Sequence, residues 1–390
     1  MPIWATTSSD TGLILAEIGG LLIFLGIASF VAARFKFSAV PNFIIAGLAL
    51  GNGGLIPLSV SDSFLDLGAQ WGAILLLLLL GLEYTAGELI GTMRDRKSLG
   101  LFDLFVNFLP GALVAFILGW GIVGALLLGG ITYVSSSGIA TQFIKDAKWQ
   151  KLESTKRAVA TLVVEDLFLA PYLPVLSAIT AGVALATGLI SISVALFITG
   201  AALFFSARGG HIPHAPLILG DSATLLLMVF GAALAASGLA TLIGFSGAVA
   251  AFLVGLLLTG DVAIVARVRL APLRDLFASI FFLFFGLGTD PRDLIPVLIP
   301  AAALALLGVA TKILTAWWGV RDVEEPRKVR RAATLLIARG EFSIVIAGLA
   351  GATLFGDELQ ALTITYVILT ALVASWMLRW ESQHEKRPHA

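Results

Sequence analysis

The chain has 390 residues, of which 58% are hydrophobic and 13% charged, against about 45–50% and about 25% in a soluble globular protein. So few charges cannot clothe a water-soluble enzyme of this size, and a formal net charge of zero leaves no basic field for nucleic acid. Cysteine is absent, which removes disulfides, thiolate metal sites and thiol catalysis. With 41 glycines and a mean hydropathy of +0.98, the composition is that of an all-α polytopic membrane protein seated in a lipid bilayer.

A helix of about 20 apolar residues crosses the hydrocarbon layer. By that measure the chain divides in order into about thirteen transmembrane helices, at 12–32, 38–56, 69–91, 99–119, 121–143, 157–180, 183–206, 216–238, 239–259, 274–289, 293–318, 331–353 and 360–379. The turns after the odd-numbered spans carry 22 of the 25 basic residues, from Arg34 and Lys36 to Lys386 and Arg387. Basic residues stay on the cytoplasmic side, so the N-terminus is expected outside and the C-terminus inside. Residues 1–10 hold no basic run, so span 1 reads as retained and not as a signal peptide. If span 7 is a linker helix, 183–206, the chain is one transmembrane domain of two repeats, 12–180 and 216–379, with a short cytoplasmic tail at 380–390. Corresponding helices are then offset by seven spans and run in opposite directions, an inverted repeat of the kind found in secondary transporters.

Polar residues inside these spans need a reason, because an ionisable group at the bilayer centre costs about 2.5–3.5 kcal/mol on insertion scales. Glu83 and Glu88 lie near the cytoplasmic end of span 3 and read as interfacial. Span 5 holds Thr132, then Ser135, Ser136, Ser137 and Gly138. Consecutive serines fit a local unwinding whose hydroxyls and freed carbonyls ligate a cation. Span 6 places Glu165 and Asp166 side by side at its middle. Adjacent residues point about 100° apart on a helix, so the two acids serve different partners. They titrate as a coupled pair, and a carboxylate in such a pair can exchange its proton for a monovalent cation. Span 11 carries Lys312, too far from Arg321 to snorkel, so its counter-ion is expected in the bundle, at Glu165 or Asp166. Span 12 contains Arg339, Gly340, Glu341 and Ser343, an interruption that matches span 5 under the offset of seven. Arg339 and Glu341 are expected to compensate charge, by pairing with each other or with the acids of span 6. His211, His214, His384 and His389 fall outside the spans. No phosphate loop, nucleophile elbow or zinc signature is present, so a non-enzymatic role without cofactor is expected.

Five segments appear together in chain order: Gly81-Leu-Glu-Tyr, Ser135-Ser-Ser-Gly, Glu165-Asp-Leu-Phe-Leu-Ala-Pro-Tyr-Leu, Phe281-Phe-Leu-Phe-Phe-Gly-Leu-Gly-Thr-Asp and Arg339-Gly-Glu-Phe-Ser-Ile. In these the chain resembles the Kef-like monovalent cation–proton antiporters, most closely the membrane subunit of the KhtTU-type potassium–proton antiporters. The resemblance implies a sodium–proton antiporter-like fold, with two interrupted helices crossing beside the acidic pair, in a homodimer of the bacterial plasma membrane. It implies that Asp166 carries the transported ion and proton, next to Glu165. It also implies a separate cytoplasmic regulatory subunit of the KhtT type, since the nucleotide-binding domain fused to Kef proteins is absent. Lys312 departs from the KhtTU-type pattern and matches a lysine of electrogenic sodium–proton relatives. The expected function is therefore potassium–proton exchange by alternating access. Sodium–proton exchange is the alternative, and a channel-like or sensory membrane subunit gated by a cytoplasmic partner is an alternative of another class.

Overall fold

The computed structural model describes residues 8–34, 39–51, 53–54, 62–83, 86–180, 222–242, 246–258, 260–351 and 353–385. The expected linker helix at 183–206 and His211, His214 and His389 lie outside these, as do the side chains of Glu83, Glu88 and His384. Every described element is helical. The first group comprises α1 (Ser8–Arg34), α2 (Ala39–Leu50), α3 (Asp62–Glu83), α4 (Ala86–Ile117), α5 (Gly121–Tyr133), α6 (Ser137–Ala147) and α7 (Glu153–Thr180). The second comprises α8 (Ser222–Leu242), α9 (Gly247–Leu257), α10 (Gly260–Leu287), α11 (Leu294–Val320), α12 (Lys328–Ile337), α13 (Glu341–Gly348) and α14 (Gly356–Glu385).

Seven helices or helix pairs among the described residues are long and apolar enough to cross a membrane. Outward-facing Phe116, Ile117, Ile299 and Leu306 are more than half exposed, which is what a lipid-facing surface requires. Both expected interruptions are present. One separates α5 from α6 at residues 134–136, and the other separates α12 from α13 at residues 338–340.

Several boundaries differ from the hydropathy reading. The span read over 274–289 begins at Gly260, and the one read over 99–119 begins at Ala86. Arg267, Arg269 and Arg274, like Arg94, Arg96 and Lys97, lower local hydropathy, yet Arg and Lys are good helix formers. The helix therefore runs on past its apolar part, and 28 residues of α10 extend about 42 Å, beyond the roughly 30 Å hydrocarbon core. The break expected between 238 and 239 instead follows α8 at Leu242, with Ser246 capping α9 by accepting a bond from the Val249 N–H.

Two glycine pairs hold the frame around the broken helices. A Cβ on Gly47 of α2 would stand 2.8 Å from Gly286 Cα of α10, and one on Gly81 of α3 would stand 2.9 Å from Gly255 Cα of α9. At each crossing the two backbones touch directly, as only glycine permits. Large apolar clusters fill the space on either side, one of them joining α3, α8, α9 and α10 through Leu75, Leu78, Leu225, Ala251 and Leu270.

Candidate ion site at the crossing of two broken helices

The breaks in α5–α6 and α12–α13 meet each other. The Ser136 N–H donates to the Ala338 carbonyl at 2.8 Å, and Ser343 Oγ donates to the Ile131 carbonyl at 3.1 Å. The approach is close: a Cβ on Gly340 would fall 2.6 Å from Ser136 Oγ. Each break exposes a helix C-terminus with unsatisfied carbonyls and a helix N-terminus with unsatisfied N–H groups, and these ends carry about −0.5 and +0.5 of an elementary charge.

The negative ends, of α5 and α12, are served by Arg339, which is fully buried. Its Nη2 and Nε donate to the Thr132 carbonyl at 2.7 and 3.2 Å, and its Nη1 reaches the carbonyls of Leu336 and Ile337 at 2.9 and 3.1 Å. The positive ends take carboxylates. Glu341, the first residue of α13, accepts from Ser136 Oγ at 2.7 Å and from the Gly138 N–H at 3.2 Å. Glu165 of α7 accepts from the Ser135 N–H. Among the described residues no ion pair joins Arg339 to Glu341. This corrects one of the two arrangements expected for them, and the cause is local: Gly340 lies at the break and sends its two neighbours to helix ends of opposite polarity.

Lys312 of α11 finds an anion within the bundle, as its burial demanded. Its Nζ lies 2.9 Å from Glu165 Oε1 and also 2.9 Å from Asp103 Oδ1 of α4, with all three side chains at 0% exposure. The ring of Tyr133 stands 5.5 Å from the same ammonium. Asn107, one turn after Asp103, donates to Asp103 Oδ1 at 2.8 Å and to Thr315 Oγ1 at 3.1 Å. Asp103, Asn107 and Thr315 complete the buried network and were not singled out in the sequence. The available signal was the spacing of Asp103 and Asn107, one helical turn apart in an apolar helix.

The remaining expected residues fall as follows. Asp166, next to Glu165 on α7, is buried at 2% exposure. Thr132 Oγ1 donates within the main-chain carbonyls of Asn107, Leu128 and Gly129, at 2.9 to 3.1 Å. Ser135 Oγ lies 2.8 Å from the Leu336 carbonyl and 3.2 Å from Glu165 Oε1, and Ser136 Oγ also caps α6 by accepting from the Ile139 N–H at 3.2 Å. Ser137 opens α6 and is half-buried.

Two recesses open among these helices, the first of them reaching the crossing at Glu341. One, of about 440 Å³, is bounded by Ser29, Gln142, Arg274, Ser279 and Glu341. The other, of about 420 Å³, is bounded by Gln70, Ser246, Phe281, Phe285 and Gln360. The phenylalanines of α10 lie between them: Phe282 lines the first and Phe281 and Phe285 the second, with ring centroids 5.3 and 6.3 Å from Phe281. On the basic end of the bundle, Glu325 from the α11–α12 turn accepts from the N–H groups of Glu153 and Ser154 at 2.7 and 3.2 Å and from Ser154 Oγ at 2.6 Å. It thereby caps α7, the helix that carries Glu165 and Asp166.

The fold and the sequence have known counterparts. The sodium proton antiporter MjNhaP1 of Methanocaldococcus jannaschii superposes with a TM-score of 0.67 over 96% of this chain and 98% of its own, at 18% identity. The K(+)/H(+) antiporter subunit KhtU of Bacillus subtilis is 29% identical over 92% of this chain and 91% of its own length. The ammonium/H(+) antiporter subunit AmhT of Alkalihalophilus pseudofirmus is also 29% identical, with the same coverage. The glutathione-regulated potassium-efflux protein KefC of Escherichia fergusonii is 28% identical, and the match spans 59% of its length. The sodium/hydrogen exchanger transmembrane family matches residues 20–381. The chain belongs to that family and is a multi-pass membrane antiporter that exchanges a monovalent cation for protons.

Proposed function

We propose that the exchanged cation is potassium and that Asp166 binds cation and proton alternately as the protein exposes it to the two sides of the bacterial plasma membrane. The observation that carries this reading is the division of labour on α7. Glu165 is held by Lys312 and Ser135 as the fixed member of the acidic pair, and Asp166, buried beside it at the crossing, is the position that the family resemblance gives to the ion and proton. The names of KhtU and KefC support potassium. Lys312 favours a second reading, sodium–proton exchange, since its pairing resembles that of electrogenic sodium–proton relatives. Thr132, Ser135, Ser136 and Ser137 would supply neutral oxygens during the cycle, which suits a weakly hydrated ion. Arg339 and Glu341 hold the helix ends, and the recess at Glu341 serves as the cytoplasmic approach.

The two glycine crossings support the inverted repeat. An offset of seven spans turns the contact of α2 with α10 into that of α9 with α3, so each frame contact is the image of the other. The repeats are then 12–180 and 216–379, with thirteen spans, an outer N-terminus and an inner C-terminus. Relatives named as subunits support a separate cytoplasmic regulator, and the family resemblance supports a homodimer.

The test is dye-monitored proton movement in liposomes containing purified protein, with potassium, sodium, rubidium and ammonium added in turn. Potassium and rubidium should drive reversible, saturable exchange, and Asp166→Asn should abolish it for every cation. Exchange with sodium alone would overturn the potassium assignment. Loss of a potassium gradient without proton movement would point to a channel, and pH-dependent exchange by Asp166→Asn would displace Asp166 from the centre.

A further inference from the structure

The buried charges around the crossing have a definite sum. Counted at their formal charges among the described residues, Asp103, Glu165 and Asp166 are three acids, Lys312 and Arg339 are two bases, and none of the five is more than 2% exposed. The four helix ends at the breaks contribute two negative and two positive half-charges, which cancel. Tyr133, Asn107, Thr132 and Thr315 face the cluster as neutral groups. Glu341 borders the recess and is half-exposed, so water and salt screen it. The cluster therefore stands at one negative charge, and a low-dielectric interior penalises any uncompensated charge.

We propose that Asp103 is the residue that sets this sum. By cancelling Lys312, it lets Glu165 and Asp166 together keep one negative charge in excess of Arg339, so the site accepts one monovalent charge at a time, either cation or proton. Without Asp103 the cluster would already be neutral when empty, and a bound cation would leave it positive. Lys312 stays matched by Asp103 as the site fills and empties. One cation leaves Asp166 as one proton arrives, no further charge moves, and the exchange is electroneutral despite a buried lysine.

The way Asp103 is held supports an electrostatic role. Its Oδ1 takes both Lys312 and Asn107, while its Oδ2 and the neighbouring Asn107 Oδ1 are buried without a hydrogen-bond partner among the described residues. A carboxylate kept as glue between helices would have both oxygens satisfied. Asp103 instead lies against the ammonium and binds on one edge.

This inference rests on Asp166 being the ion site, and the experiment separates the two. Proteoliposomes are assayed for proton movement with a pH dye and for net current on a solid-supported membrane, with potassium as the driving ion. The unmodified protein should move protons without sustained current. Asp103→Asn should raise the apparent KM for potassium about tenfold or more, as expected for removing one nearby negative charge. Lys312→Met raises the negative sum by one, and the double variant Asp103→Asn/Lys312→Met restores it, so the double variant should return KM to within about threefold of the original and remain currentless. A purely structural ion pair would also be rescued in the double variant, but in melting temperature and yield, with the KM of the folded protein unchanged in all three variants. Sustained current from the unmodified protein, an unchanged KM in Asp103→Asn, or a double variant no better than Asp103→Asn would overturn the proposal. If Asp103→Asn does not fold, the comparison of Lys312→Met with the double variant decides. Retained exchange in Asp166→Asn would count against the ion-site assignment and not against Asp103.

Discussion

Lys312 is the hub of the buried network, and its removal should be the costliest single change there. Its Nζ holds two carboxylates at 2.9 Å each, and all three groups are sealed from solvent. Lys312→Met leaves Asp103 and Glu165 buried without their common cation. Breaking a buried ion pair by removing one partner costs about 3–5 kcal/mol, and here the two stranded carboxylates also repel. Glu165→Gln differs in kind. Lys312 retains Asp103, and the amide oxygen still accepts from the Ser135 N–H, so the loss should be about 1–3 kcal/mol, the scale of a charged hydrogen bond. The expected order of stability is therefore unmodified, then Glu165→Gln, then Lys312→Met. In the double variant part of the Lys312→Met loss should be recovered, because one stranded charge has gone. Melting followed by intrinsic fluorescence in detergent measures all four proteins. Equal losses for the two single variants, or strict additivity in the double variant, would refute a shared ammonium.

Three further outcomes follow from the geometry. Arg339→Met strands the carbonyls of Thr132, Leu336 and Ile337 and should destabilise by at least about 2 kcal/mol, whereas Arg339→Lys should recover only part, since an ammonium cannot span both helix ends; melting temperatures of the pair check this. Gly340→Ala places a methyl group 2.6 Å from Ser136 Oγ and should cost about 1–3 kcal/mol through overpacking, with a matching fall in transport rate, and unchanged stability would remove the close crossing. Burial pushes the Glu325 carboxyl up, but bonds from the Ser154 hydroxyl and the N–H groups of Glu153 and Ser154, with the Arg331 charge, outweigh it and hold it below its ordinary value. Its capping contribution, about 0.5–2 kcal/mol, is therefore present above the ordinary glutamate range near pH 4.3 and lost as pH falls through the lower folded-state value, so the stability gap between the unmodified protein and Glu325→Ala should be full at pH 6 and close in strong acid.

The helix breaks and the Lys312–Glu165 pair were legible because each violates a strong rule: serines and charge inside an apolar run, and a lysine with no route to water. Asp103 was not legible. It follows Lys97 by six residues, and in a span read from residue 99 it stands in the first turns, where an acid draws no notice. Because α4 begins at Ala86, Asp103 lies about 26 Å along the helix, deep in the bundle. The separation of Arg339 from Glu341 was hidden for a different reason. Two residues apart in the chain they looked like natural partners, yet residues at that spacing do not face each other on a helix, and the break at Gly340 carries them to opposite poles. Glu325 was hidden because it sits in a turn, and nothing local ties it to the start of α7, more than 170 residues earlier.

The glycine crossings at Gly47–Gly286 and Gly81–Gly255 have a consequence for how substitution data on this protein are read. Where two main chains touch, there is no side chain to bend, rotate or shorten in compensation, so tolerance is all or nothing. If Asp166 carries the ion as proposed, a saturation scan will score these four positions as intolerant as Asp166, and by loss of transport alone the two groups are indistinguishable. They separate by amount of folded protein: the glycine variants should disappear from the membrane, while an Asp166 variant should remain there, folded and silent.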